Sequence, residues 1–330
     1  MKPHTSAILL AALIQCGWSF AQQAPDPASQ PFQAGPPLGV TLDGQTTPLS
    51  DNVKVYGAIV NAESCSYDAT RDLILAVNRG VNQNQVVNDG FVSLINHDGS
   101  VHTARWIGVN RNGLVLNQPF GSDVMNDKLY LADRDGGTSD ADPSVSVIRI
   151  FDMTTGAPAG EVKTAESTGF NDIAVAEDGT IYATQTGSGT PPDPTTFKVF
   201  KVTPDGQSSV LVEGAPLNRP NGIALDSSGN LVVVNIGDDA VLTFSVDGGL
   251  IATEHAAQDG NDGLVILEDG TKYVSSVVKG GVSRIPANGG TADLIATGIP
   301  NAASMCYDAG ANQLVVPMNP NNALAFIKLD

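Results

Sequence analysis

The chain has 330 residues, 42% of them hydrophobic, with 35 Gly, 20 Pro and only 5% aromatics. That is ample apolar material for a large core, and so many chain breakers point to short strands and turns. Lys+Arg number 17 against 35 Asp+Glu, a net charge of −18; this argues against nucleic acid and anionic membranes as partners, and suits either a bound cation or a merely solvated acidic surface.

Residues 1–21 have the make-up of an export signal. Lys2 and His4 precede the apolar run 7–14, and Ser19-Phe20-Ala21 offers small residues for cleavage before Gln22. The run is too short to span a bilayer. Leu13-Ile14-Gln15-Cys16 hints at a lipoprotein box, but Gln15 is a poor residue before a modified cysteine. The expectation is soluble export to the periplasm or beyond, with no lipid and no membrane insertion. Residues 22–51, rich in Pro, Gln and Gly, read as a flexible leader. Residues 52–330 read as one domain.

Residues 53–60 read as a lone strand. The first four-stranded unit begins at Glu63-Ser64-Cys65 and the second near Phe120-Gly121-Ser122-Asp123. The third, fourth and fifth open at Phe170-Asn171-Asp172, Pro220-Asn221-Gly222 and Asn261-Asp262-Gly263. Each of these three runs into apolar residues, a polar turn with Gly and a second apolar strand. Their spacings, 50 residues from Asn171 to Asn221 and 41 from Asn221 to Asp262, are those of propeller blades of four strands. A sixth unit begins near Ala303-Ser304-Met305-Cys306 and holds three strands, so the lone strand at 53–60 supplies its fourth. The expected fold is all-β, a six-bladed β-propeller whose ring is closed by an N-terminal strand, which removes an open sheet edge.

In such a blade the innermost strand comes first, so residues opening the inner strands gather at one mouth of the channel. The connections between second and third strands return to that face. They are long in the first three units (79–89, 134–144, 186–196) and short in the last three, which predicts a mouth with one tall wall.

Glu63, Asn171, Asn221 and Asp262 open inner strands and together offer two carboxylates and two amide oxygens. A hard-oxygen set suits calcium or another divalent cation, whereas zinc would favour His and Cys. Taken singly, Asn, Asp and Gly also simply fit a turn entering a blade. Asp133, Asp135, Asp140 and Asp142 form an acidic loop that reads as solvated rather than as a second cation site. His97, His102 and His255 have no Ser-His-Asp or Cys-His setting, and no phosphate-cradling or dinucleotide motif is present. Cys65 and Cys306 sit early in the inner strands of the first and sixth units. An oxidising compartment permits a disulfide there; two separate buried thiols are favoured, because adjacent inner strands can hold the Cα atoms beyond the ~7 Å limit.

The blade openings Ala62-Glu63-Ser64, Phe170-Asn171-Asp172, Pro220-Asn221-Gly222 and Asp262-Gly263 resemble those of the SMP-30/gluconolactonase/LRE-like family. The ending Ala302-Ala303-Ser304-Met305-Cys306-Tyr307-Asp308, with Leu314-Val315-Val316-Pro317, resembles an exported bacterial branch of it. The resemblance implies a divalent ion, often calcium, in the channel of a six-bladed propeller that hydrolyses lactones or related esters. It implies Glu63, Asn221 and Asp262 as metal ligands, Asn171 as a ligand or substrate contact, and Asp262 as general base or nucleophile. Two departures stand out. The sugar lactonases usually follow the first Glu with Gly-Pro, where this chain has Ser64-Cys65. They often carry Arg two residues before the Asn of the third blade, where this chain has Gly169.

Two functions follow as expectations. One is a calcium-dependent hydrolase of a lactone or related ester acting on a small molecule. The other is a non-catalytic periplasmic propeller that binds a small ligand or a protein partner through the same mouth.

Overall fold

The computed structural model describes residues 53–56, 59–81, 88–108, 114–136, 139 and 141–330. The expected signal peptide, lipoprotein box and flexible leader lie outside the described residues. No helix among the described residues is long and apolar enough to cross a membrane.

The described strands form six four-stranded antiparallel sheets. Blade 1 comprises β2 (Ala62–Asp68), β3 (Leu73–Asn78), β4 (Phe91–Ile95) and β5 (Val101–Gly108). Blade 2 comprises β6 (Ser122–Met125), β7 (Lys128–Asp135), β8 (Val145–Asp152) and β9 (Pro158–Thr164). Blade 3 holds β10 (Ile173–Val175), β11 (Ile181–Gln185), β12 (Lys198–Val202) and β13 (Ser208–Glu213), with a 3-10 turn at Pro194–Thr196. Blade 4 holds β14 (Pro220–Leu225), β15 (Leu231–Asn235), β16 (Ala240–Phe244) and β17 (Leu250–His255). Blade 5 holds β18 (Asn261–Ile266), β19 (Lys272–Ser276), β20 (Gly281–Ile285) and β21 (Asp293–Thr297). Blade 6 is built from β22 (Cys306–Asp308), β23 (Gln313–Pro317), β24 (Leu324–Lys328) and the N-terminal β1 (Val53–Tyr56). The six-bladed fold and the closing strand are therefore as the sequence predicts: β1 runs antiparallel to β24, with Val53 opposite Ile327 and Tyr56 opposite Leu324.

Each blade packs against a neighbour on both faces. The strands in its middle are therefore buried on both sides and read as unbroken apolar runs rather than alternating ones. On β3, Leu73, Leu75 and Val77 pack toward blade 2, while Ile74 and Ala76 pack toward blade 6. Six apolar clusters result, each set between two adjacent blades. The outermost strands lie at the rim and are largely exposed, as in β9 and β17. The turns between first and second strands use short side chains to fix the backbone. Asp178 accepts the Thr180 N–H at 2.8 Å, and Gly179 takes φ +86°.

Blades 1 and 6 are joined by more than β1. Cys65 and Cys306 form a disulfide with Cα atoms 5.4 Å apart. This corrects the expectation of two separate thiols: the propeller axis crowds the inner strands closely enough to bring the pair within bonding range. His97 adds a second clasp. Its Nδ1 lies 2.8 Å from Asp308 of blade 6 and its Nε2 lies 3.1 Å from Asp72, which Tyr67 also contacts. Hydrogen bonding to Asp308 and Asp72 raises the His97 pKa, against a smaller opposing effect of burial.

Two outcomes are expected. Protein lacking residues 1–21, denatured without reductant, exposes no free thiol to a thiol reagent, and Cys65→Ala/Cys306→Ala loses about 2–5 kcal/mol of stability in a urea titration. For His97 the folded pKa is above the unfolded value. Its contribution is full below about pH 6.5 and disappears as the pH climbs through the raised native value. His97→Gln accordingly flattens the fall in melting temperature over that window; an unchanged pH profile counts against the clasp.

Candidate metal and substrate site

Three of the four predicted site residues lie where the inner strands enter the channel, each at a break in strand register. Glu63 falls at the irregularity between Ala62 and Ser64, Asn221 between Pro220 and Ile223, and Asp262 between Asn261 and Leu264. A bulge re-aims a side chain out of the regular blade face, and here it turns these residues toward the axis. The Asn-Gly and Asp-Gly pairs serve a second need. A Cβ at Gly222 would meet the Asp262 carbonyl oxygen, and one at Gly263 the Met305 backbone nitrogen, both well inside 3.0 Å. Only glycine lets adjacent inner strands approach so closely.

Glu63, Asn221 and Asp262 are 5%, 1% and 4% exposed. Asn221 Nδ2 donates to Asp262 Oδ2 at 3.1 Å. Glu63 Oε2, Asn221 Oδ1 and Asp262 Oδ1 are buried with no hydrogen-bond partner. Arg79 Nη1 lies 3.5 Å from Glu63 Oε2, beyond hydrogen-bonding range. Burial raises the pKa of both carboxylates. The negative charges of Glu63 and Asp172 raise Asp262 further, while Arg79 draws Glu63 down. Unpaired buried oxygens are costly and call for a partner. Three oxygens facing one axis, two from carboxylates, fit a hard divalent cation.

Asn171 stands beside this trio. It precedes β10, and its Nδ2 donates to the Thr186 hydroxyl at 3.0 Å; that hydroxyl donates to the Pro220 carbonyl, next to Asn221. Asn171 lines a cavity of about 220 Å3 at the mouth, with Phe120, Asp133, Arg134, Gly169 and Thr186. Gly169 leaves open space there, and Arg134 enters the same cavity from blade 2.

Three residues at the site were not singled out from sequence. Arg79 stacks over the Phe120 ring, 4.2 Å from its centroid. Arg134 is half-buried; burial and then the charge of Arg79 lower its pKa, against an opposing pull from Asp133. The available signal was that the long loops of blades 1 and 2 both start with Arg, at the face where the inner strands begin. Asp172 lies on the inner strand side of blade 3 and accepts the Ile173 and Ile223 N–H groups at 3.0 and 3.3 Å. Burial pushes it up to about 7 and Asp123 up to about 6. Both line a cavity of about 790 Å3 reaching the opposite end of the channel, beside the turn at Asp226 and Gly229.

The acidic loop proves neither solvated nor cation-binding at its start. Asp133 accepts from the Asn117 and Gln118 N–H groups and pairs with Arg149, which also holds Asp135 and Glu161. Asp140 lies outside the described residues. Among the described residues no group of three or more His, Cys, Asp or Glu side chains has the geometry of a metal centre, so the trio depends on its amide ligand.

Known structures match the whole ring. A gluconolactonase from Xanthomonas campestris is 19% identical, with a TM-score of 0.54 over 85% of this chain and 91% of that one. Virginiamycin B lyase from Staphylococcus aureus is 10% identical, with a TM-score of 0.57 over 84% and 99%. Identities this low show the shared fold and not a shared reaction. No curated protein matches the chain. The family described as SMP-30/Gluconolactonase/LRE-like region matches residues 123–317, more than half of the chain and most of blades 2 to 6. The chain belongs to the SMP-30/gluconolactonase/LRE-like family.

Proposed function

We propose that this propeller is a calcium-dependent hydrolase of a lactone or related ester, exported from the cell. The observation that carries the reading is the set of buried oxygens without a hydrogen bond, Glu63 Oε2, Asn221 Oδ1 and Asp262 Oδ1, of which only Glu63 Oε2 has an ion pair, with Arg79 at 3.5 Å. Glu63, Asn221 and Asp262 would hold the cation, with Asn171 beside them as a further ligand or a substrate contact. A divalent ion bound there supplies Lewis-acid polarisation of a carbonyl oxygen.

The chain's own residues divide the remaining work. Asn221 holds Asp262 Oδ2 and so fixes the carboxylate plane, leaving Oδ1 toward the channel. The Asp262 carboxylate takes the proton of a water attacking the acyl carbon and returns it to the ester oxygen as the C–O bond breaks, or itself attacks the acyl carbon, expelling that oxygen, after which water hydrolyses the acyl-enzyme. Thr186 orients the Asn171 amide at the cavity wall, where it can hydrogen-bond a bound ester. Burial of the trio excludes bulk water from the reacting atoms.

Asp262→Asn tests the assignment. It weakens calcium binding by at least about tenfold in a calorimetric titration. It also cuts lactone turnover by about 10²- to 10⁴-fold even at saturating calcium, because an amide is neither base nor nucleophile. Asp269→Asn, in the exposed turn after β18, keeps both properties. If Asp262→Asn binds calcium as tightly as the wild type, the ligand assignment is wrong. If calcium affinity falls but the wild type turns over no lactone or aryl ester, with or without EDTA, the propeller is a binding module.

A further inference from the structure

Arg134, near the end of β7, lines the cavity at the mouth, and Arg79, just after β3, meets that cavity's wall by stacking over Phe120. Arg134 makes no ion pair among the described residues, and the Nε atoms of both side chains are buried without a hydrogen-bond partner. Asp133, on the same cavity wall, attracts Arg134 through space but forms no ion pair with it: its carboxylate is taken up by Arg149 Nε at 2.5 Å and by two backbone N–H groups. Arg79 is partly compensated by Glu63 at 3.5 Å and is fixed over Phe120. Arg134 is therefore left with a buried Nε that no hydrogen bond satisfies, in a chain whose net charge is −18. Holding a half-buried guanidinium without an ion pair is costly unless an anion completes the site.

We propose that Arg79 and Arg134 form an anion subsite beside the reacting centre, so that the substrate is a lactone or ester bearing a carboxylate away from the scissile bond. The inference rests on reading this mouth as the substrate mouth. Only one of the two guanidiniums, Arg134, has no ion pair among the described residues, which suits a monoanion better than a phosphate dianion. The planar guanidinium fork matches a carboxylate's two oxygens. The cavity of about 220 Å3, walled by Phe120, Gly169, Asn171 and Thr186, accommodates a small ring. Arg134 is the specificity-determining residue, because Arg79 is shared with Glu63.

The test compares γ-butyrolactone carboxylate with γ-butyrolactone carboxamide, its neutral counterpart. Binding is read by calorimetry in EDTA, where no turnover interferes. Wild-type protein is expected to prefer the carboxylate by about tenfold or more. Arg134→Gln brings the ratio to within about twofold, by losing affinity for the carboxylate. Arg134→Lys, which keeps the charge without the fork, gives an intermediate ratio and covers the case in which the Gln variant does not fold. No binding of the carboxylate, an even ratio in the wild type, or an undiminished ratio in Arg134→Gln overturns the proposal. Turnover of the two lactones with calcium is measured separately. A retained binding preference with no hydrolysis sinks the hydrolase reading and leaves the anion subsite standing.

Discussion

The structure depends on how closely six inner strands can approach one axis. Around that axis each blade passes a hydrogen bond to a neighbour. The Ser64 hydroxyl donates to the Phe120 carbonyl, and the Gly121 N–H donates to the Asn171 carbonyl at 2.7 Å. The Thr184 hydroxyl reaches the Asn221 carbonyl, the Ser275 hydroxyl reaches the Ala303 carbonyl at 2.8 Å, and the Ser304 N–H reaches the Glu63 carbonyl at 3.1 Å. Short polar side chains and glycines are what fit between strands at this spacing. They also satisfy inner-strand backbone groups that have no partner on the channel side. The same crowding sets Glu63, Asn221 and Asp262 together, so the site is a by-product of the packing that closes the ring.

The fold was legible because each blade is written twice, once in its buried second strand and once in the turn that precedes it. Leu231–Asn235 and Gln313–Pro317 are buried throughout and mostly apolar because both faces meet another blade, and the polar turn before each marks the period. Glu63, Asn221 and Asp262 stand out in sequence as polar residues at the blade openings, and the structure buries all three.

The rest of the site was not legible because it depends on distances between blades. Arg79 and Arg134 look like ordinary loop residues in sequence; only the ring sets Arg134 against the cavity and Arg79 against Phe120 in its wall. The pairing of Cys65 with Cys306 turned on about an ångström or two of strand separation, which no spacing in the chain encodes. Asp133 reads as part of an acidic loop, yet it is the buried end of a network centred on Arg149. Its partners lie elsewhere in blade 2 and in the segment leading into it.

The disulfide has a consequence for the chain as a covalent object. Cys65 and Cys306 are 241 residues apart in sequence, and β1 pairs with β24 just outside that span. Five blades therefore lie within a covalent loop closed at the axis. A single cut in one of the long mouth loops, such as 186–196, opens that loop without releasing a fragment, and the two halves stay tethered at the inner strands. The walls of the mouth, where most sequence change can be tolerated, can thus be nicked or lengthened while the ring beneath them remains one connected body.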